Sequence, residues 1–386
     1  MRIVIDARMY GLEHAGIGRY VANLIREIKN IKIILLVRRK NLEEIKKEVG
    51  NEFKLVIVDV PHYSLREQIF LPLQLIKLKP DLVHFSHFNV PVFYSGKFVV
   101  TIHDLIKHTF RGMETTTRQP WFYWLKYLGY RFVFNQAVKR AVKILVPSQA
   151  VKQELIKAYN LPEDKIIVTY EGVEDKFKMK NEKIKMTMQN AKILEKYNIK
   201  KPFIIYTGSV YPHKNVERLI QSIKLLITNY QLPASPQGGP ITLVVSCARS
   251  VFWERLKKKV KELGAERYVN FVGFVPDRDL VLLYRQAEAF VFPTLSEGFG
   301  LPGLEAMAAG CPVICSDIPV LREIYGEAAE YFNPLNPKDM AEKIRKVIRD
   351  TRTRKTLVEN GLKQVKKYSW QKLVRQTLAV YQEAVK

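Results

Sequence analysis

Glu297 and Glu305 stand on either side of a glycine-rich turn, inside Phe292–Glu305, FPTLSEGFGLPGLE. Gly298 and Gly300 let the backbone approach a ligand closely. Pro302 opens the helix predicted to follow, which is where proline is favoured. Backbone N–H groups around Phe299, Gly300 and Leu301 then form an anion site at a helix N-terminus. A carboxylate beside a phosphate repels it, unless it accepts hydrogen bonds from hydroxyls. Two carboxylates flanking an anion site therefore point to a ligand with both phosphate and polyol parts, a sugar nucleotide. The purely structural reading is that Glu305 complements the helix dipole and Glu297 is solvated.

Three further places carry candidate chemistry. Lys214 lies after a predicted strand in GSVYPHKN, Gly208–Asn215. Taken alone it reads as a solvated lysine; beside an anion site it reads as a phosphate partner. His103 ends the apolar run VVTIHD. An imidazole at a strand's carboxyl end faces the edge where open α/β sheets bind ligands, and Asp104 would orient its loop. Gly16-Ile17-Gly18 precedes a predicted helix, but a dinucleotide fingerprint needs a third small residue where Val21 stands. A nicotinamide cofactor is not expected. Cys247, Cys311 and Cys315 form no disulfide framework and no zinc spacing, and suit a reducing compartment.

These residues need elements to hold them. The 386 residues suit about two domains. Short Val/Ile-rich runs are predicted strands at 2–6, 32–37, 54–60, 81–86, 97–103, 143–147 and 166–170, and again at 203–207, 241–246, 269–274, 289–292 and 313–316. Such runs suit strands buried on both faces. Helical patterns separate them, at 18–30, 41–49, 65–78, 148–159, 216–230, 251–263, 277–286, 302–309 and 337–350. Ser148 is a natural N-cap. The charged stretch Glu174–Lys200 breaks the rhythm and reads as a linker, and Leu232–Pro240 as a loop insertion. The expectation is an α/β chain of two doubly wound parallel-sheet domains facing a cleft, with the chemistry in loops after strands.

The stretch Ser296–Val313, SEGFGLPGLEAMAAGCPV, resembles the E-x7-E signature of family 4 retaining glycosyltransferases, which share the two-domain, Rossmann-like GT-B fold. Ile5–Tyr20, Thr101–Asp104, Val146–Ile156, Gly208–Asn215 and Gly273–Leu280 resemble further stations of that family. The opening IDAR…GIGRY is similar to a subgroup rich in polysaccharide mannosyltransferases. The resemblance implies an acceptor-side domain over 1–180, with 369–386 crossing back to it, and a donor-binding domain over 198–368. It implies that Glu305 holds ribose hydroxyls and that Glu297 and His103 face the donor sugar. The amides of Phe299, Gly300 and Leu301, with Lys214, would hold the diphosphate. The Gly208–Ser209 turn and the Gly16–Gly18 loop would close over the donor, and backbone groups at Val275 would meet the base. Many relatives carry arginine where this chain has Ser209; His213 and Arg249 are the candidates to replace that cation. The implied reaction is retaining hexosyl transfer by front-face attack, mannose from GDP-mannose being the first expectation and a UDP-sugar the alternative. No D-x-D-like cluster sits in a suitable loop, so neither metal nor other cofactor is expected.

Lys and Arg number 63 against 38 Asp and Glu, a formal charge of +25. That excess favours an anionic partner. A basic nucleic-acid-binding or -modifying protein is one alternative, but no helix-turn-helix, RNA-recognition or zinc-finger signature accompanies the charge. Another enzyme of the same fold, an epimerase or a phosphorylase, is a further one. Arg118–Arg140 mixes aromatics with Lys and Arg. It reads either as an ordinary amphipathic helix with its aromatics in the core or as a surface for an anionic bilayer. With no apolar run of about 20 residues and no signal-peptide pattern at the start, the expected location is the cytoplasm, peripheral to the membrane, with a glycan or lipid-linked acceptor.

Overall fold

The computed structural model describes residues 1–29, 31–112, 115–116, 119–178, 192–230 and 241–386, without the side chains of Leu12, Asn229 and Tyr230. The loop insertion at 232–240, residues 179–191 of the 174–200 linker and Arg118 lie outside the described residues. Two compact units divide the chain. One comprises Met1–Leu105, Arg118–Gly172 and Ser369–Lys386; the other comprises Ile106–Thr117 and Val173–Tyr368.

The first unit is built on seven parallel strands: β1 (Ile3–Asp6), β2 (Ile33–Val37), β3 (Lys54–Ile57), β4 (Leu82–Phe85), β5 (Phe98–Thr101), β6 (Lys143–Val146) and β7 (Ile166–Val168). Their order is β3-β2-β1-β4-β5-β6-β7. The central strands are buried throughout, as their mostly apolar character requires, with Asp6, His84 and Thr101 the polar members. The major helices are α1 (Ala15–Glu27), α2 (Leu42–Val49), α3 (Leu65–Leu78), the short α4 (Ile106–Thr109, in the second unit), α5 (Pro120–Arg140) and α6 (Gln149–Tyr159). Ser148 caps α6 as expected, its Oγ accepting from the Val151 amide.

The second unit carries β8 (Phe203–Thr207), β9 (Thr242–Ser246), β10 (Val269–Gly273), β11 (Phe290–Phe292), β12 (Val313–Ser316) and β13 (Ala329–Phe332), ordered β10-β9-β8-β11-β12-β13 and all parallel. Its helices are α7 (Val216–Tyr230), α8 (Val251–Glu262), α9 (Asp277–Gln286), α10 (Leu301–Ala308), α11 (Pro319–Tyr325), α12 (Pro337–Arg349) and α13 (Thr351–Gln364). The last helix, α14 (Trp370–Val385), packs on α1 and on β4, β5 and β6 of the first unit.

Several expectations are corrected. Helix α1 starts at Ala15, so Gly16 and Gly18 lie in its first turn and not in a loop before it. Gly18 is there for packing, because a Cβ would strike the Gly11 carbonyl. His103 lies two residues past the end of β5, not in it. β13, α11 and α13 were not foreseen: β13 is an edge strand half polar in sequence, and α13 buries only Leu357, Gly361 and Gln364.

Candidate active site

In the second unit, β8 has β9 on one side and β11 on the other, so the strand order reverses there. In such sheets ligands bind beyond the strands' carboxyl ends at this reversal. The two loops leaving it are Gly208–Asn215, after β8, and Pro293–Gly300, after β11. Both are segments that the sequence singled out.

The loops are fastened to each other. Asn215 is buried with a left-handed backbone (φ +59), which asparagine tolerates better than most residues. Its Nδ2 donates to the carbonyls of Pro293 (2.9 Å) and Pro334 (2.8 Å), and its Oδ1 accepts from Arg218 (2.8 Å). The Leu295 amide donates to the His213 carbonyl at 2.8 Å. This fixes where Lys214 projects. Its Nζ forms an ion pair with Glu297, both side chains being mostly withdrawn from solvent, and lies 5.8 Å from the centre of the Phe292 ring. Gly208 follows β8 directly and donates its N–H to the Ser246 carbonyl; the Ser209 carbonyl accepts from the Tyr206 hydroxyl.

Gly300 caps α10 with φ +93, a conformation that an L side chain would strain. The Tyr325 hydroxyl donates to its carbonyl, and a Cβ on Gly300 would meet that hydroxyl at 2.6 Å. Leu301 begins the helix, Pro302 follows, and Glu305 lies one turn in and is buried. Phe299 stands edge-on to Tyr368 at 5.5 Å. An anion-receptive helix start thus has a lysine and two carboxylates around it. Val275 follows β10 and its side chain is core, which leaves only its backbone to meet a ligand.

Of the two candidates to replace the missing cation, His213 stands where its charged form is disfavoured. Burial first, then the neighbouring Lys214 charge, pushes its pKa down to about 3, so it is neutral at physiological pH. Its ring lies parallel to Tyr211 and near Phe110. Arg249 is exposed in the loop after β9.

In the first unit, His103 is held by its surroundings. Its Nε2 lies 2.9 Å from the Ser86 carbonyl and its Nδ1 3.7 Å from the Glu171 carboxylate. The Tyr20 ring meets it edge-on at 4.8 Å. Gly16 is exposed, and a Cβ there would meet nothing within 4 Å.

The residues overlooked are mostly those that hold others. Asn215 and Tyr325 position the two loops of the second unit, and Glu171 sits beside His103. Arg8 is buried two residues past β1, with Nε and Nη2 on Asp6 (2.8 and 2.6 Å) and Nη2 also on Glu67 (2.8 Å). Glu67 also accepts from Asn89 and from the Tyr63 amide. Burial pushes the Asp6 carboxyl up, but the Arg8 charge and hydrogen bonds outweigh it and hold the pKa below the usual value. The signal for Arg8 was its place just past a buried strand in IDAR.

The first part of the chain, residues 14–177, matches the Glycosyltransferase Family 4 pattern, and residues 189–364 match that of the Glycosyl transferases group 1. The chain has the GT-B fold, and its two parts are related to family 4 and group 1 glycosyltransferases. It is 30% identical over 252 residues to O-antigen chain mannosyltransferase B of Escherichia coli, covering 64% of this chain and 62% of that protein. It is 29% identical over 270 residues to O-antigen chain mannosyltransferase RfbU of Salmonella typhimurium, covering 69% and 64%. The chain therefore spans less than two thirds of the length of these relatives. Among solved structures, Anabaena HepE in complex with UDP-glucose shares the fold with a TM-score of 0.74 at 16% identity, over 99% of each chain. Among the described residues no helix is long and apolar enough to cross a membrane.

Proposed function

We propose that this chain transfers a hexosyl group from a nucleoside-diphosphate sugar to a glycan or lipid-linked acceptor, with retention of configuration. The observation that carries the reading is the helix start at Gly300–Leu301, set at the strand-order reversal with Lys214, Glu297 and Glu305 around it.

In this reading the amides of Phe299, Gly300 and Leu301, with Lys214, take the diphosphate. Lys214 exchanges Glu297 for phosphate oxygens when donor binds. Glu305 accepts from ribose hydroxyls. Glu297, released from Lys214, accepts from hydroxyls of the sugar. Backbone groups at Gly208, Ser209 and Val275 line the donor, and Gly16 and Gly18 act through the position of α1. As the bond from anomeric carbon to phosphate oxygen breaks, negative charge grows on the leaving diphosphate, and preorganised amides and a lysine stabilise it. The acceptor oxygen bonds to the anomeric carbon from the same face, and its proton passes to the departing phosphate oxygen.

Two donors fit. A UDP-hexose is the better supported, because UDP-glucose is the ligand named for a chain sharing this fold along nearly its whole length. GDP-mannose, the first expectation from the sequence, is supported by the names of relatives matched over less than two thirds of their length. A thermal-shift panel of UDP-glucose, UDP-N-acetylglucosamine, GDP-mannose and the free nucleotides tests the reading, since a ligand of the folded state raises the melting temperature. A selective shift with one base identifies the donor; no shift with any would overturn the assignment.

A further inference from the structure

Helix α5 is apolar on both sides. Phe134, Ala137 and Val138 point into the core of the first unit. Trp121, Trp124, Leu125, Leu128 and Phe132, spaced i, i+3, i+4, i+7, i+11, are exposed, Trp121 by 70% and Leu128 by 65%. Of the aromatics assigned to the core in one reading of this stretch, Phe134 is there and Tyr130 packs against it, while Trp121, Trp124 and Phe132 are exposed. Helix α3 repeats the arrangement. Leu71 and Leu75 face inward, while Leu65, Ile69, Leu73 and Ile76 form an exposed stripe.

The two stripes lie on one side of the sheet. The inward faces of α3 and α5 enter the same core cluster. The segment between β4 and β5 joins the helices: the Val92 amide donates to Gln68 of α3, and Arg140 of α5 donates to the Val92 and Tyr94 carbonyls. Phe93, 72% exposed, rises from that segment. Apolar surface this extensive marks an interaction site.

Its charge selects the partner. The only acidic side chain on either helix is Glu67, which is buried against Arg8. The exposed ionisable groups are all cations: Arg66 and Lys77 on α3, and Lys126, Arg131 and Lys139 on α5. Tryptophans with an unbroken set of cations suit the headgroup level of an anionic bilayer.

We propose that the outer faces of α3 and α5, with Phe93 between them, dock this protein on an anionic lipid bilayer. The proposal deepens the acceptor side of the reading above, because a docked enzyme reaches a lipid-linked acceptor. It does not depend on the donor site.

Co-sedimentation tests it without turnover. The full chain is mixed with vesicles of phosphatidylcholine plus phosphatidylglycerol, or of phosphatidylcholine alone. The expected result is binding to the mixed vesicles that weakens with salt. Trp124→Glu with Leu128→Glu on α5, and Ile69→Glu with Leu73→Glu on α3, should each lower the partition roughly tenfold or more. Lys126→Glu with Arg131→Glu should lower it for the anionic vesicles. Because these side chains are exposed, the melting temperature and the donor-induced shift stay as in the parent, which separates this proposal from the donor assignment. The proposal is overturned if the parent protein stays in solution with anionic vesicles, if it binds both lipids equally, or if the apolar variants bind as the parent does. A dimer in light scattering that the same substitutions dissolve would also overturn it, assigning the face to a second copy.

Discussion

Glu305 and Lys214 are given different work by their positions, and their variants should separate. Glu305 sits one turn into α10, where a carboxylate can hold hydroxyls in the ground state and the transition state alike. Glu305→Ala is therefore expected to raise KM and shrink the donor-induced thermal shift, with a smaller effect on kcat. Lys214 faces charge that grows as the bond breaks, so Lys214→Ala should lower kcat by roughly 10²–10³-fold. Unchanged steady-state kinetics in both would remove the site assignment. Arg8 makes a prediction of another kind, since it lies among two carboxylates and away from solvent. Arg8→Met leaves Asp6 and Glu67 buried and uncompensated, and should cost about 3–5 kcal/mol in denaturant unfolding. The two glutamates and Lys214 were legible in the sequence because a glycine-rich turn beside carboxylates has few other uses. Arg8, Asn215 and Glu171 were not, because each depends on a partner tens of residues away along the chain: Glu67, Pro293 with Pro334, and His103.

At the scale of elements, the start of α10 decides whether the anion site exists. Gly300 holds a left-handed backbone, and the Tyr325 ring leaves no room for a side chain. Gly300→Ala should destabilise the protein by about 1–2 kcal/mol from the backbone alone, and should weaken donor binding because the amides of Phe299, Gly300 and Leu301 turn away. Isothermal titration with the donor identified by the thermal-shift panel, beside a melting curve, checks both effects. The parallel strands were readable because strands buried on both faces are nearly continuous apolar runs. Edge strand β13, AEYF, and the polar helix α13 escaped because neither shows an apolar period. The first turn of α1 escaped because Gly11 and Gly18 meet by backbone contact, which leaves no hydrophobic trace.

At the scale of the whole molecule, the C-terminal helix belongs to the first unit although the second unit's chain leads into it. α14 buries Trp370, Leu373, Val374, Val380 and Tyr381. At about 1.5–3 kcal/mol for each large side chain, their loss is comparable with the stability of a whole domain, about 5–15 kcal/mol. A chain ending before Ser369 should lose the first unit's unfolding transition in calorimetry and keep the second's. The same helix brings a pH dependence. His84 on β4 is buried between the Tyr381 and Thr101 hydroxyls, and burial, then the nearby His103, lowers its pKa from 6.5 to about 3. The unfolded chain takes up that proton near pH 6.5 and the folded chain only near 3. Stability from this group is therefore whole above the upper value and falls by about 1.4 kcal/mol per pH unit down to the lower one. His84→Asn should show a shallower fall in melting temperature over that window, whatever its value at neutral pH. By itself, the sequence determined the alternation of strands and helices, the glycine turn and its carboxylates, because these are local patterns that neighbouring residues enforce. The tertiary structure alone decided that Lys214 meets Glu297, that Arg8 is buried, that His213 is neutral and that Trp121, Trp124 and Phe132 of α5 are exposed. Each of those depends on which distant surface the fold brings alongside, and pairing and desolvation are properties of that surface.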